Sequence, residues 1–192
     1  MTLKLIKFVF SMTNKIKYFS FFIEIIPISL FFIVYSIYDI YLAAVSSALS
    51  SLVILIFCKL VEKRISYFAI FSLTIAIIFT ILSVVLQNPI LIKIQPTIFN
   101  GLFAIALIGG LFFNRPVMKD FFSFQFKLNM KTWKILSKRW GIFFLILSLA
   151  NEIVWRYFTE DQWVFYKTFI SSIAVLIFMS LQIPITIKGK KI

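Results

Sequence analysis

Few residues of this chain could do chemistry, and several of those that could lie inside or beside apolar runs. There is no His and a single Cys, Cys58. Disulfide frameworks, zinc sites and His-based acid–base catalysis therefore have no residues to work with. Seven Asp and Glu stand against twenty Lys and Arg, a formal net charge of +13. Glu24, Glu152, Arg156 and Lys167 fall at membrane depth, where an ionisable group is costly and calls for a function or a partner. Glu152 and Arg156 are four apart, a spacing that puts them on one helix face as an ion pair. Together with Asp39, Asn151 and Lys167 they make a candidate intramembrane polar cluster at the outer ends of their helices. Two readings are open: charges that snorkel outward and tie helix ends together, or part of a substrate or proton path. Glu24 is isolated on the opposite half of the bilayer, about 9 Å from the cytoplasmic edge at 1.5 Å per residue. Lone carboxylates make a weak site, so no catalytic, cofactor-binding or metal residues are assigned and no enzyme activity is expected.

The elements that must carry these residues follow from composition. Sixty-one per cent of the 192 residues are apolar, 14% are charged, and the mean hydropathy is +1.02. A soluble domain carries about 45–50% apolar and about 25% charged residues, so the solvent for this chain is lipid. A nucleic-acid binder can be this basic but not this apolar. A helix needs about 20 mostly apolar residues to cross the hydrocarbon core, and the runs are continuous rather than alternating with the two-residue period of barrel strands. The expected fold is all-α: a single polytopic transmembrane helix bundle over residues 1–192, with spans at about 18–38, 40–58, 65–86, 94–114, 140–158 and 164–187. The charges test that count. Seventeen of the 20 basic residues fall before the first span, after the second and fourth, or in the tail, as the positive-inside rule asks of cytoplasmic segments. Six spans with both termini in the cytoplasm fit this pattern. Five are expected instead if the first segment, with Glu24 and Pro27, lies in the interface.

The longest polar stretch, 115–139, is basic and amphipathic. Read as a helix, it lines up Phe122, Phe126, Met130, Trp133, Leu136 and Trp140 on one stripe, with Lys127, Lys131, Lys134 and Lys138 on another. That pattern suits a helix in the headgroup layer, apolar side down, its lysines reaching anionic lipid of the cytoplasmic leaflet. An ordinary positive-inside loop is the alternative. Small residues from Ala43 to Ser51, and Gly109-Gly110, let helices approach closely and suit a buried central helix or a homo-oligomer contact. The 25 Phe read as lipid-facing bulk, and Trp133, Trp140, Trp155 and Trp163 as an aromatic belt at the interfaces.

Several short blocks, in order and at matching spacing, resemble the bacterial intracellular septation protein A family, also called inner membrane-spanning proteins. They begin with Glu24-x-x-Pro27 and Tyr38-Asp39-Ile40-Tyr41-Leu42-Ala43-Ala44, then Lys59-Leu60-Val61-Glu62-Lys63. Lys93-x-x-Pro96-Thr97 and Arg115-Pro116-Val117-Met118-Lys119 follow. Trp133, Leu136 and Trp140-Gly141-Ile142-Phe143-Phe144 come next, and the last blocks are Leu149-Ala150-Asn151-Glu152 and Trp163-Val164-Phe165-Tyr166-Lys167-Thr168-Phe169. Ser148 and Ile170 stand where the family pattern has glycine, which puts close helix packing there in question. The resemblance implies a bacterial inner-membrane protein needed for envelope biogenesis, membrane homeostasis and septation. It also implies protein partners in the division and elongation machineries, and it carries over no catalytic residues. A small transporter or lipid flippase using the outer polar cluster is the rival. Against it, the halves show no internal similarity and no paired Gly/Pro breaks at corresponding positions.

Overall fold

The computed structural model describes residues 25–62, 67–123 and 126–190. Glu24 and the start of the first expected span lie outside the described residues. The chain divides into two compact units, Met1–Ile65 and Ser66–Ile192.

In the first unit, α1 (Ile25–Ile37) and α2 (Ile40–Glu62) pack as a hairpin. The turn is set by Asp39, whose Oδ1 accepts the backbone N–H of Leu42 at 2.8 Å. This is the N-cap arrangement, which satisfies one of the donors a helix start leaves unpaired. Ala43 and Ala44 are buried, as is Phe31 of α1. The hydroxyls of Ser46, Ser50 and Ser51 donate to carbonyls of their own helix, at Ala43, Ser47 and Ser47. These three serines therefore carry no unmet donor into lipid.

In the second unit, α3 (Tyr67–Leu86) and α4 (Ile90–Phe112) are joined by a tight turn, followed by α5 (Val117–Phe122), α6 (Met130–Tyr157) and α7 (Glu160–Phe165). A π-helical turn, Tyr166–Ile170, leads from α7 into α8 (Ser171–Lys188). Both α3 and α4 end in the same way. Gln87 and Asn114 take left-handed φ values of 49° and 56°. Asn88 then returns its N–H to Ser83, and Arg115 to Gly110, closing Schellman turns that occupy orphan carbonyls. Pro89 and Pro116 follow directly and forbid continuation. Asn129 caps α6 by accepting from Thr132 N–H at 2.8 Å. Thr159 and Gln162 form a reciprocal capping box at α7, which satisfies two orphan donors at once.

Among the described residues, four helical stretches are long and apolar enough to cross a membrane: Ile40–Leu60, Tyr67–Leu86, Ile90–Phe112 and Glu160–Lys188. The sixth helix, α6, has 28 residues, about 42 Å at 1.5 Å each. Its apolar half begins only near Trp140.

The segment 115–139 is not one interfacial helix. Its described part comprises α5, residues 126–129 and the first third of α6, with Met118 N–H donating to the buried Ser137 Oγ at 3.3 Å. Its apolar stripe is divided. Trp133 and Leu136 belong to the protein core with Phe103, Leu107 and Phe144 of α4 and α6, while Phe126 and Met130 remain exposed.

The aromatic residues need a matching correction. Phe68, Phe99, Phe103 and Phe144 make an internal cluster, with Phe103 and Phe144 edge to face at 5.0 Å. Phe143 stacks on Phe178 of α8 at 4.1 Å. Trp133 and Trp163 are buried to 2% and 0% exposure, inside the unit rather than on a belt. The main interface is α4 against α6. There Gly141 admits α4 so closely that a Cβ would stand 2.7 Å from Ile108 Cγ1.

Candidate functional site

The polar residues of the second unit converge where α4 begins, α6 ends and α7 starts. The centre is Asn151, 2% exposed. Its Nδ2 donates to the backbone carbonyl of Lys93 at 2.9 Å and to Thr97 Oγ1 at 2.8 Å. Its Oδ1 accepts the indole N–H of Trp163 at 3.1 Å. One side chain thus ties three helices together.

A proline lies beside this junction. Pro96 lies inside α4, where its missing N–H and bulky ring disturb the hydrogen bonds of the preceding turn. The carbonyl that Pro96 leaves without its helical donor is that of Ile92, four residues earlier. Asn151 donates to the next carbonyl, that of Lys93, and one helical turn earlier on α6 the buried Ser148 donates to the carbonyl of Thr97 at 2.9 Å. Ser148 does not open a gap, because Gly101 faces it: a Cβ there would lie 3.3 Å from Ser148 Oγ. Close packing at this point is kept, with the glycine on the other helix.

Around this centre lie the charges. Glu152 accepts from Arg156 at 2.5 Å, the pairing expected from their spacing, and also from Trp155 Nε1 at 2.7 Å. Arg156 stacks over the Trp155 ring at 4.5 Å. Lys93 at the start of α4 forms an ion pair with Glu160 at the start of α7, 2.8 Å apart. Lys167 places its ammonium 5.0 Å from the centre of the Trp163 ring, a cation–π arrangement directly above the residue that donates to Asn151.

Asn151, Glu152, Arg156 and Lys167 thus belong to one region of the second unit. Asp39 belongs to the first unit, where it caps α2. Lys93, Thr97, Ser148 and Trp163 were missed as members. The available signal was the Lys93-x-x-Pro96-Thr97 block, which sets polar side chains near the start of α4, as Asn151-Glu152 does near the end of α6. Among the described residues, no group of three or more Cys, Asp and Glu could hold a metal ion.

At the opposite end of the unit, Lys127, Lys131, Lys134 and Lys138 are all exposed. Lys134 donates to Asn114 Oδ1 at 3.0 Å. Arg139 reaches across to the buried Gln182 of α8 at 3.3 Å. Arg115 pairs with Asp120 at 3.1 Å.

Comparison with known proteins places this architecture. Residues 19–191 match the family described as intracellular septation protein A. The inner membrane-spanning protein YciB of Agrobacterium fabrum is 37% identical over 129 residues, 67% of this chain and 63% of that protein. Its counterpart in Mesorhizobium japonicum is 40% identical over 114 residues, 59% of this chain and 51% of that one. The YciB protein of Brucella anthropi is 39% identical over 111 residues, 58% and 50% respectively. The matched part therefore spans between half and two-thirds of these relatives' length. No solved structure matches the chain.

Proposed function

The chain belongs to the intracellular septation protein A family of inner membrane-spanning proteins, and from that premise we propose that it is a non-enzymatic helix bundle supporting septation and envelope biogenesis. It does so by helix-to-helix contact with proteins of the division and elongation machineries. The protein is an inner-membrane protein linked to septation, and the family is not a known family of enzymes.

The observation that carries the scaffold reading is the use to which the intramembrane polar groups are put. Asn151, Thr97, Ser148 and Trp163 hydrogen-bond across helices, Glu152 holds Arg156 and Trp155, and Lys93 holds Glu160. Polar side chains spent in this way fix one arrangement of helices. A carrier of solute or lipid would need such groups to change partners as it moved. Short connections between long helices leave little surface for recognition by soluble domains, which favours partners met within the bilayer.

The test is depletion of the protein in its host, complemented by wild type or by Glu152→Gln/Lys167→Met at matched abundance. Septum placement and envelope permeability are scored together. A scaffold is expected to be rescued on both counts by the double variant. A variant that accumulates normally yet rescues neither would make the cluster chemically active and favour transport. Depletion without a septation or permeability defect would overturn the proposed role itself.

A further inference from the structure

We propose that the joint between the 126–129 turn and the C-terminal end of α8 is a binding site for the headgroup of an anionic phospholipid. The two segments are 60 positions apart in the chain, yet Leu128 pairs with Lys190 as an antiparallel bridge and Asn129 N–H donates to the Gly189 carbonyl at 3.0 Å. The approach requires glycine, since any Cβ at residue 189 would collide with the Thr132 side chain. Closing the joint brings Lys127 and Lys131 on one segment together with Lys188 and Lys190 on the other. All four are exposed, and none is in an ion pair among the described residues.

The surroundings leave this charge uncompensated. Seven Lys and Arg lie between residues 113 and 139 and two more between 186 and 190, against Asp120 as the one acid. Asp120 is taken by Arg115. At the other end of the unit, Lys93, Arg156 and Lys167 are balanced by Glu152, Glu160 and Asp161. The basic end is the one that the positive-inside rule assigns to the cytoplasm, where the leaflet surface is anionic.

Interleaved with the four lysines are exposed apolar side chains: Phe126 at 42%, Met130 at 44%, Ile183 at 52% and Ile187 at 60%. Cations beside an apolar rim suit an amphiphile with a phosphate head and acyl chains. A free phosphate would gain nothing from the rim. Of Lys127, Lys131, Lys134 and Lys138, this arrangement singles out Lys127 and Lys131, while Lys134 is held by Asn114.

The site rests on the inner-membrane location alone, so its failure and that of the septation role are read separately. Full-length protein in detergent is titrated with phosphatidylglycerol or phosphatidylcholine, and bound lipid is counted by native mass spectrometry. Wild type is expected to prefer phosphatidylglycerol by about tenfold. Lys127→Gln/Lys131→Gln/Lys188→Gln/Lys190→Gln should abolish the preference. Arg115→Gln/Lys119→Gln/Lys134→Gln/Lys138→Gln, which removes as many charges elsewhere, should leave most of it. Gly189→Val opens the joint without removing charge and should weaken the preference. If that variant does not fold, the two quadruple variants decide. Equal loss in both quadruple variants would replace the site with diffuse charge, and displacement by millimolar inorganic phosphate would make it a phosphate site. A wild type without preference would overturn the proposal outright.

Discussion

Asn151 on α6 donates its side-chain amide to the backbone carbonyl of Lys93 on α4 at 2.9 Å, three residues before Pro96. That bond joins a backbone carbonyl near the proline of one helix to a buried polar side chain of another. The oxygen of the same amide receives the Trp163 indole N–H, so the start of α7 is tied to the same residue. The ends of three helices are therefore fixed by one side chain.

Replacing Asn151 with Leu should be strongly destabilising. Three hydrogen bonds are lost, and the Trp163 N–H is left buried without its partner. Interhelical hydrogen bonds in membranes average about 0.6 kcal/mol, and each buried group left unsatisfied costs about 1–3 kcal/mol. A loss of about 2–4 kcal/mol is expected in reversible SDS unfolding of the purified protein. A loss below about 0.5 kcal/mol would mean that the three helix ends are held by other contacts.

The glycines should separate by neighbour, not by proximity in sequence. Gly141→Ala would press a methyl into Ile108 at 2.7 Å and Leu107 at 3.3 Å, and overpacking of this kind costs about 1–3 kcal/mol. Gly109 has nothing within 4 Å of the position a Cβ would take. Gly109→Ala should therefore be neutral or slightly stabilising, because alanine favours the helix by up to about 1 kcal/mol over glycine. Thermal unfolding midpoints of the two variants side by side check the contrast, and equal effects would refute the close α4–α6 approach at Gly141.

Apolar run length and the clustering of lysines were enough to read an all-helical membrane protein and the Glu152–Arg156 pair from the sequence. Those features depend on local spacing, which the helix fixes. What stayed hidden depends on which helix lies opposite. Phe103 and Phe144 look no different in sequence from the exposed Phe112, since lipid and protein interior are equally apolar; only the α4–α6 contact makes them core. Trp133 carries the same ambiguity, because a polar tip and an apolar body suit an interface as well as a buried site. Asp39 was grouped with the outer cluster on depth alone, whereas its bond to Leu42 N–H shows a cap that its position just ahead of an apolar run could have signalled.

The Lys93–Glu160 pair should be recoverable by exchange. Its side chains are 16% and 35% exposed, so screening limits the coupling to about 1 kcal/mol or less. Lys93→Glu alone places two carboxylates together and should lower stability. Lys93→Glu/Glu160→Lys should regain most of the loss in the same unfolding assay. A double variant no better than the single one would show that the α4–α7 contact is held by Asn151 and not by this pair.

Thr168 provides a test whose sign runs against intuition. It lies in the π-helical turn between α7 and α8, is 8% exposed, and its hydroxyl has no hydrogen-bond partner among the described residues. A buried hydroxyl left unsatisfied costs about 1–3 kcal/mol, and valine has nearly the same shape without that group. Thr168→Val should therefore keep or raise the unfolding midpoint, although Val for Thr in a core usually counts as a disruptive exchange. Thr168→Ala, which removes the methyl as well, should lower stability through the space it leaves. If Thr168→Val instead falls by as much as Thr168→Ala, the hydroxyl is engaged in the membrane-embedded protein, and the π-turn is held by a bond to it.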